Sequence, residues 1–149
     1  MTDDELMGLA LDEARAAVDH DDVPVGAVVM IDGEVVASRH NEREHTGDPS
    51  AHAEMLAVRD AAAAVGSWRL DDATVGVTRE PCPRCAGLLQ QARIGRVVFG
   101  AVDVRAGACG SLYNLAVDPR LNHEFAVTPG MRADECAELL TGFFAARRS

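Results

Sequence analysis

The sequence predicts a layered α/β domain with a largely buried sheet, and three observations carry that expectation. Short Val-rich runs alternate with longer segments whose apolar residues recur at helical spacing. A hairpin signal joins only the first two strands. The later apolar runs read as strands covered on both faces.

The elements follow in the order helix, hairpin, helix, strand, helix, strand, helix, strand, helix. Thr2 and Glu5 make a capping box, with Leu6, Leu9, Ala10, Ala14 and Ala17 along one helical face. Residues 25–31 form an apolar β-rich run, Asp32-Gly33 gives the hairpin turn, and Val35 and Val36 carry the return strand. Ser50 is positioned to cap a helix through Met55, Leu56 and Val58 toward Gly66, a C-terminal glycine stop. Residues 74–78 read as a strand, and Pro83 opens a helix reaching about Arg93. Val97, Val98 and Phe99 form a buried strand. A short helix is expected near Leu112 to Ala116 and a strand near Phe125 to Val127. The final helix places Ala133, Cys136, Ala137, Leu140 and Phe144 on one face.

No repeat, low-complexity linker or composition break divides the 149 residues, so a single domain over 1–149 is expected. A composition of 48% apolar and 26% charged residues is that of a soluble globular protein. No apolar run reaches membrane-spanning length, and the acidic start lacks the apolar core of a secretory signal, so a cytoplasmic protein is expected. Four cysteines are too few for a small secreted disulfide scaffold.

The net charge of -10 argues against nucleic acid, but the charge is unevenly spread. Residues 1–22 hold eight acidic side chains against Arg15 alone, whereas residues 79–120 hold six arginines against Glu80, Asp103 and Asp118. A local basic surface is therefore compatible with the total. All 14 basic residues are arginine, which fits a codon bias better than a function.

Two segments carry chemistry: His52-Ala53-Glu54 and Pro81-Cys82-Pro83-Arg84-Cys85. Each falls at the expected start of a helix. Cys82 and Cys85 share a face, and helix N-termini favour thiolates. One neutral histidine and two thiolates give a tetrahedral zinc three ligands and leave a position open, the mark of a catalytic site. Glu54, beside such a metal but not needed as a ligand, has the place of a general base. A lone C-x-x-C also fits a thiol–disulfide pair or half of a structural zinc site. The first leaves His-Ala-Glu unexplained; the second lacks a fourth ligand, since Cys109 and Cys136 stand alone.

H-x-E followed by P-C-x-x-C is the signature of zinc-dependent nucleobase deaminases. The chain resembles that superfamily well beyond the motif, and within it the bacterial tRNA-specific adenosine deaminases. The likeness runs through residues 24–28, Asn41, residues 48–51, residues 94–100, Gly110-Ser111-Leu112, Asn122-His123 and residues 133–136 onward. It implies a three-layer α/β/α cytidine-deaminase-like domain around a mostly five-stranded mixed sheet. It implies one Zn2+ per chain on His52, Cys82 and Cys85, with Glu54 as the catalytic proton shuttle. The reaction implied is hydrolytic conversion of the anticodon wobble adenosine to inosine. The implied partners are a tRNA anticodon stem-loop and a second copy of the chain as a homodimer, with neither membrane nor DNA.

For substrate contacts the resemblance implies Asn41 on the flipped base, and Asp103 with Arg105 along the anticodon backbone. It places Asn122 near the rim, Phe144 stacking and Arg148 on phosphate. Each has a plainer alternative: Asn41 as a loop former, Asp103 as a turn ahead of Gly107, and one of Phe143 and Phe144 in the core. Cys109 and Cys136 read as small buried residues, and His20, His40 and His45 as side chains of polar loops or strand ends without a role. Arg79 stands where the family pattern leads one to expect an apolar residue. With the acidic net charge, it keeps a free nucleobase or nucleoside deaminase as the alternative substrate class. A zinc-bearing RNA-binding module without catalysis is a further alternative, against which Glu54 argues.

Overall fold

The computed structural model describes residues 1–147. Helix α1 spans Asp3–Ala17, and the Thr2 hydroxyl accepts the Glu5 N–H at 3.1 Å, as a capping box requires. Its buried stripe is Leu6, Met7, Ala10, Leu11, Ala14 and Ala17, whereas Leu9, expected there, is 37% exposed. A 3-10 turn, Val18–His20, follows. Strands β1 (Gly26–Ile31) and β2 (Glu34–His40) are joined by Asp32 and Gly33, both at positive φ, which matches the twist of a tight hairpin.

A single helical turn, α2 (Arg43–Thr46), lies where a plain loop was expected. Helix α3 spans Ala53–Val65, and its N-cap is His52, not Ser50. Ser50 instead bonds Asp48 through both its backbone N–H and its hydroxyl, turning the chain two residues early. Gly66 ends α3 at φ 74°, as anticipated. Strand β3 (Ala73–Arg79) leads to α4 (Pro83–Gln91), capped by Cys82 and stopping just short of Arg93. Strand β4 (Arg96–Ala101), β5 (Ala126–Thr128) and α5 (Ala133–Arg147) complete the order.

The helix expected near Leu112 to Ala116 does not form. Leu112 and Tyr113 are exposed while Leu115 and Ala116 pack on the core, so the apolar residues do not bury along one helical face. It is a looped turn instead, in which the Gly107 carbonyl accepts the N–H groups of both residues and Cys109 bridges to Asn114.

The sheet order is β2-β1-β3-β4-β5. β1 is antiparallel to both β2 and β3, while β3, β4 and β5 run parallel. Side chains alternate between two cores. Ala27, Val29, Val75, Val77, Val97 and Phe99 meet α3 and α4 on one face. Val28 and Val98 meet Leu6, Met7 and Leu11 of α1 and Cys136 of α5 on the other. The result is a three-layer α/β/α arrangement with a mixed five-stranded sheet. Gly26 lets α1 lie directly on β1, since a Cβ there would fall on the Ala10 carbonyl oxygen. No helix among the described residues is long and apolar enough to cross a membrane.

Candidate metal centre

The site lies where the parallel part of the sheet ends and two helices begin. His52 is the N-cap of α3 and Cys82 the N-cap of α4, both with extended backbone and neither side chain capping its own helix. Instead they turn toward each other. His52 Nδ1 lies 3.7 Å from Cys82 Sγ and 3.5 Å from Cys85 Sγ. All three donor atoms fall within 4.8 Å of one another. Donors at about 2.3 Å (sulfur) and 2.0–2.1 Å (nitrogen) from one tetrahedral ion stand about 3.6 Å apart. Both nitrogen–sulfur separations therefore match those around one tetrahedral divalent metal ion.

The two sulfurs behave as a pair. The Cys85 thiol donates to Cys82, and although burial opposes ionisation, this bond and His52 pull the Cys82 thiol down to about 3. Cys85, as the donor and deeply buried, is pushed up. Glu54, in the first turn of α3, is only 4% exposed. Burial raises its pKa above the usual carboxylate range, and its own backbone N–H opposes that shift.

A cleft of about 200 Å³ opens beside these residues, with His52, Glu54, Cys82, Asn41, Arg79 and Asp103 on its walls. Asn41 is buried; its Nδ2 donates to the Val23 carbonyl at 3.2 Å and its Oδ1 accepts the Arg43 N–H at 3.1 Å. Asp103 is buried as well. Its Oδ1 accepts the N–H groups of Arg105 and Ala106, and its Oδ2 pairs with Arg79 Nε at 3.1 Å. It both shapes the turn ahead of Gly107 and lies on the cleft wall.

Three further expected contact residues, Arg105, Asn122 and Phe144, lie outside the cleft lining. Arg105 and Asn122 are exposed and do not line the cleft. Phe143 is the core member of the phenylalanine pair at 7% exposure, and Phe144, 38% exposed, meets it edge-on at 5.4 Å. Phe144 therefore leaves the apolar face on which it was expected. Arg148 lies outside the described residues. His123 Nε2 donates to the Ile94 carbonyl at 2.7 Å, a packing role that ties its loop to the start of β4.

Glu80 was not singled out from the sequence. It is buried, and its two oxygens accept the N–H groups of Asp103, Cys109 and Ser111 and the Ser111 hydroxyl. Burial raises its pKa, but these bonds outweigh that and leave it below the usual value. Its signal in the sequence is an acid at the end of an apolar strand, directly before Pro81-Cys82.

A family model described as MafB19-like deaminase matches residues 1–148. The tRNA-specific adenosine deaminase of Bacillus subtilis is 47% identical over 145 residues, covering 97% of this chain and 90% of that protein. The chain belongs to this deaminase family. The tRNA-specific adenosine deaminase of Streptococcus pyogenes serotype M18 is 42% identical, covering 91% of this chain and 85% of its own. A solved structure from work on A-to-I editing by tRNA:A34 deaminases at the wobble position superposes with a TM-score of 0.88 at 41% identity. It covers 91% of this chain and 99% of that one. The likeness over 91% of the chain agrees with the three-layer, five-stranded deaminase fold that the motif resemblance implied.

Proposed function

We propose that this chain is a zinc-dependent hydrolase that deaminates the wobble adenosine of a tRNA anticodon to inosine. The observation that carries the reading is the buried Glu54 on the cleft wall with His52 and Cys82, whose donor atoms cluster with that of the buried Cys85. Similarity to tRNA-specific adenosine deaminases over nearly the whole chain supports the choice of substrate.

His52, Cys82 and Cys85 are the zinc ligands in this reading. Zinc, when bound, acts as a Lewis acid that brings the pKa of water from 15.7 toward about 7. Glu54 takes a proton from the attacking water and passes it to adenine N1 as the C6–O bond forms. It then carries the remaining proton of the new C6 hydroxyl to the exocyclic amine, which departs as ammonia as the C6–N bond breaks and C6=O forms. Its raised proton affinity suits both halves of that shuttle. Asn41 presents its amide to the base, and Asp103 its carboxylate to the sugar edge, both already fixed by backbone bonds. An unpaired anticodon base reaches such a cleft at a lower unstacking cost than one in a duplex. The working form in this reading is a cytoplasmic homodimer.

The deciding experiment is mass analysis of an arginine tRNA anticodon stem-loop after incubation with the enzyme, beside ammonia release from free guanine, cytosine and adenosine. Inosine at the wobble position with no turnover of the free compounds is expected. An intact wobble adenosine together with turnover of a free base would replace this reading with a small-molecule deaminase.

A further inference from the structure

Away from the cleft cluster, three histidines come together where the end of α1, the 3-10 turn and the end of β2 meet. His20 Nε2 and His40 Nε2 face each other at 3.1 Å. Behind them, Asp22 Oδ2 lies 2.7 Å from His20 Nδ1, and Glu13 Oε2 lies 2.7 Å from His40 Nδ1. The ring of His45 stacks on that of His20, centroids 4.5 Å apart. Glu42 Oε1 lies 4.0 Å from His40 Nε2. Asp22 is fully buried, and its oxygens also accept the N–H groups of Glu44 and His45 at 2.6 and 3.0 Å.

A count of donors shows what this arrangement needs. An ionised carboxylate only accepts, so each Nδ1 carries a hydrogen. A neutral imidazole protonated at Nδ1 has its lone pair at Nε2. Two such lone pairs would then oppose each other at 3.1 Å. A cation between them, whether a second proton on one ring or a metal ion, removes that opposition.

The surroundings favour the ion. A carboxylate behind Nδ1 with a bare Nε2 in front is how metal-ligating histidines are oriented. Two nitrogens at about 2.0–2.1 Å from one ion stand about 2.9 Å apart at a right angle and about 3.3 Å apart at the tetrahedral angle. The observed separation falls between those limits. Glu13, Asp22 and Glu42 supply negative charge, and Arg39 offsets part of it by pairing with Glu42 Oε2 at 3.0 Å and with Asp60 at 2.8 Å. Imidazole with carboxylate selects zinc, cobalt, nickel or copper(II) over calcium or magnesium.

We propose that His20 and His40, oriented by Asp22 and Glu13 and with Glu42 as a nearby counter-charge, form a second site for a divalent transition-metal ion. It contains no sulfur and takes no part in the chemistry. Its ion pins the 3-10 turn to the end of β2, and the neighbouring Val23, Asn41 and Arg43 line the cleft. Occupancy therefore stiffens that wall.

The test is a Co2+ titration of the full chain already carrying its cleft metal, followed by visible absorption and metal analysis. A second equivalent per chain is expected, with cobalt d–d bands and no thiolate charge-transfer band. His20→Gln and His40→Gln should each abolish it while the first metal stays. Glu13→Gln should weaken it about 10- to 100-fold, as loss of an orienting partner does. His20 is partly exposed at the end of a 3-10 turn, so His20→Gln remains decisive if His40→Gln fails to fold. No second equivalent, one that survives His20→Gln, or one with sulfur character would overturn the proposal. So would a doubly protonated ring seen by 15N NMR in protein that binds no cobalt there, which assigns the gap to a proton.

Discussion

Glu54 and Glu80 are both buried carboxylates, yet their surroundings drive them in opposite directions. Glu54 is dominated by loss of water and holds its proton more tightly, as the proposed shuttle role requires. Replacing it with alanine should lower turnover by at least a few hundredfold while zinc and circular dichroism stay unchanged. Retention of activity in Glu54→Ala would remove its assigned role. Glu80 is held below its ordinary value by hydrogen bonds to Ser111, Asp103 and Cys109. A carboxyl depressed on folding contributes stability above its unfolded pKa, near 4.5, and that contribution disappears as pH falls through the lower folded value. Glu80→Gln should therefore be less stable than wild type at pH 7, and should lose less on going to pH 4. Denaturation midpoints at the two pH values measure this, and equal losses in both proteins would count against it.

Among the elements, the contact of α1 with β1 has the least slack. A Cβ at Gly26 would sit on the Ala10 carbonyl and 2.6 Å from the Ala14 backbone nitrogen, so a helix and a strand must separate to admit it. Gly26→Ala should cost roughly 1–3 kcal/mol or more, read from a urea midpoint, whereas Gly33→Ala at the open hairpin tip strains only its own φ. Elements with a local chemical signal were legible in the sequence. Thr2 with Glu5 marked α1, Asp32-Gly33 the hairpin, Pro83 the start of α4 and Gly66 the end of α3. The metal-type cluster was legible for the same reason, because both of its halves are short motifs at helix starts. What escaped depends on contacts distant in sequence. Leu112 to Ala116 looks helical until Leu112 and Tyr113 are found facing solvent while Leu115 and Ala116 turn inward. Ser50 looks like a cap until Asp48 takes its hydroxyl. The joining of His20 to His40 requires α1 to be laid across β1, which no local pattern encodes.

Across the whole molecule, α3 and α4 are held on one face of the sheet, and each delivers its N-cap residue to the same point. In the proposed reading metal and fold are coupled, because an ion held by His52, Cys82 and Cys85 joins the starts of these two helices. Removing zinc with a chelator should lower the thermal midpoint of the wild type. Cys85→Ala should start from the lower value and show no further drop, with metal analysis reading close to zero at the cleft site. A chelator effect of the same size in both proteins would detach stability from these ligands. The loop beyond β4 has a different consequence. Glu80 gathers three backbone amides and one hydroxyl of that loop onto a single buried anchor, so this rim keeps its shape before any ligand arrives. Little conformational freedom remains there to be lost on association. Adaptation then falls to the incoming strand, which favours substrates whose reactive base is already splayed from its neighbours.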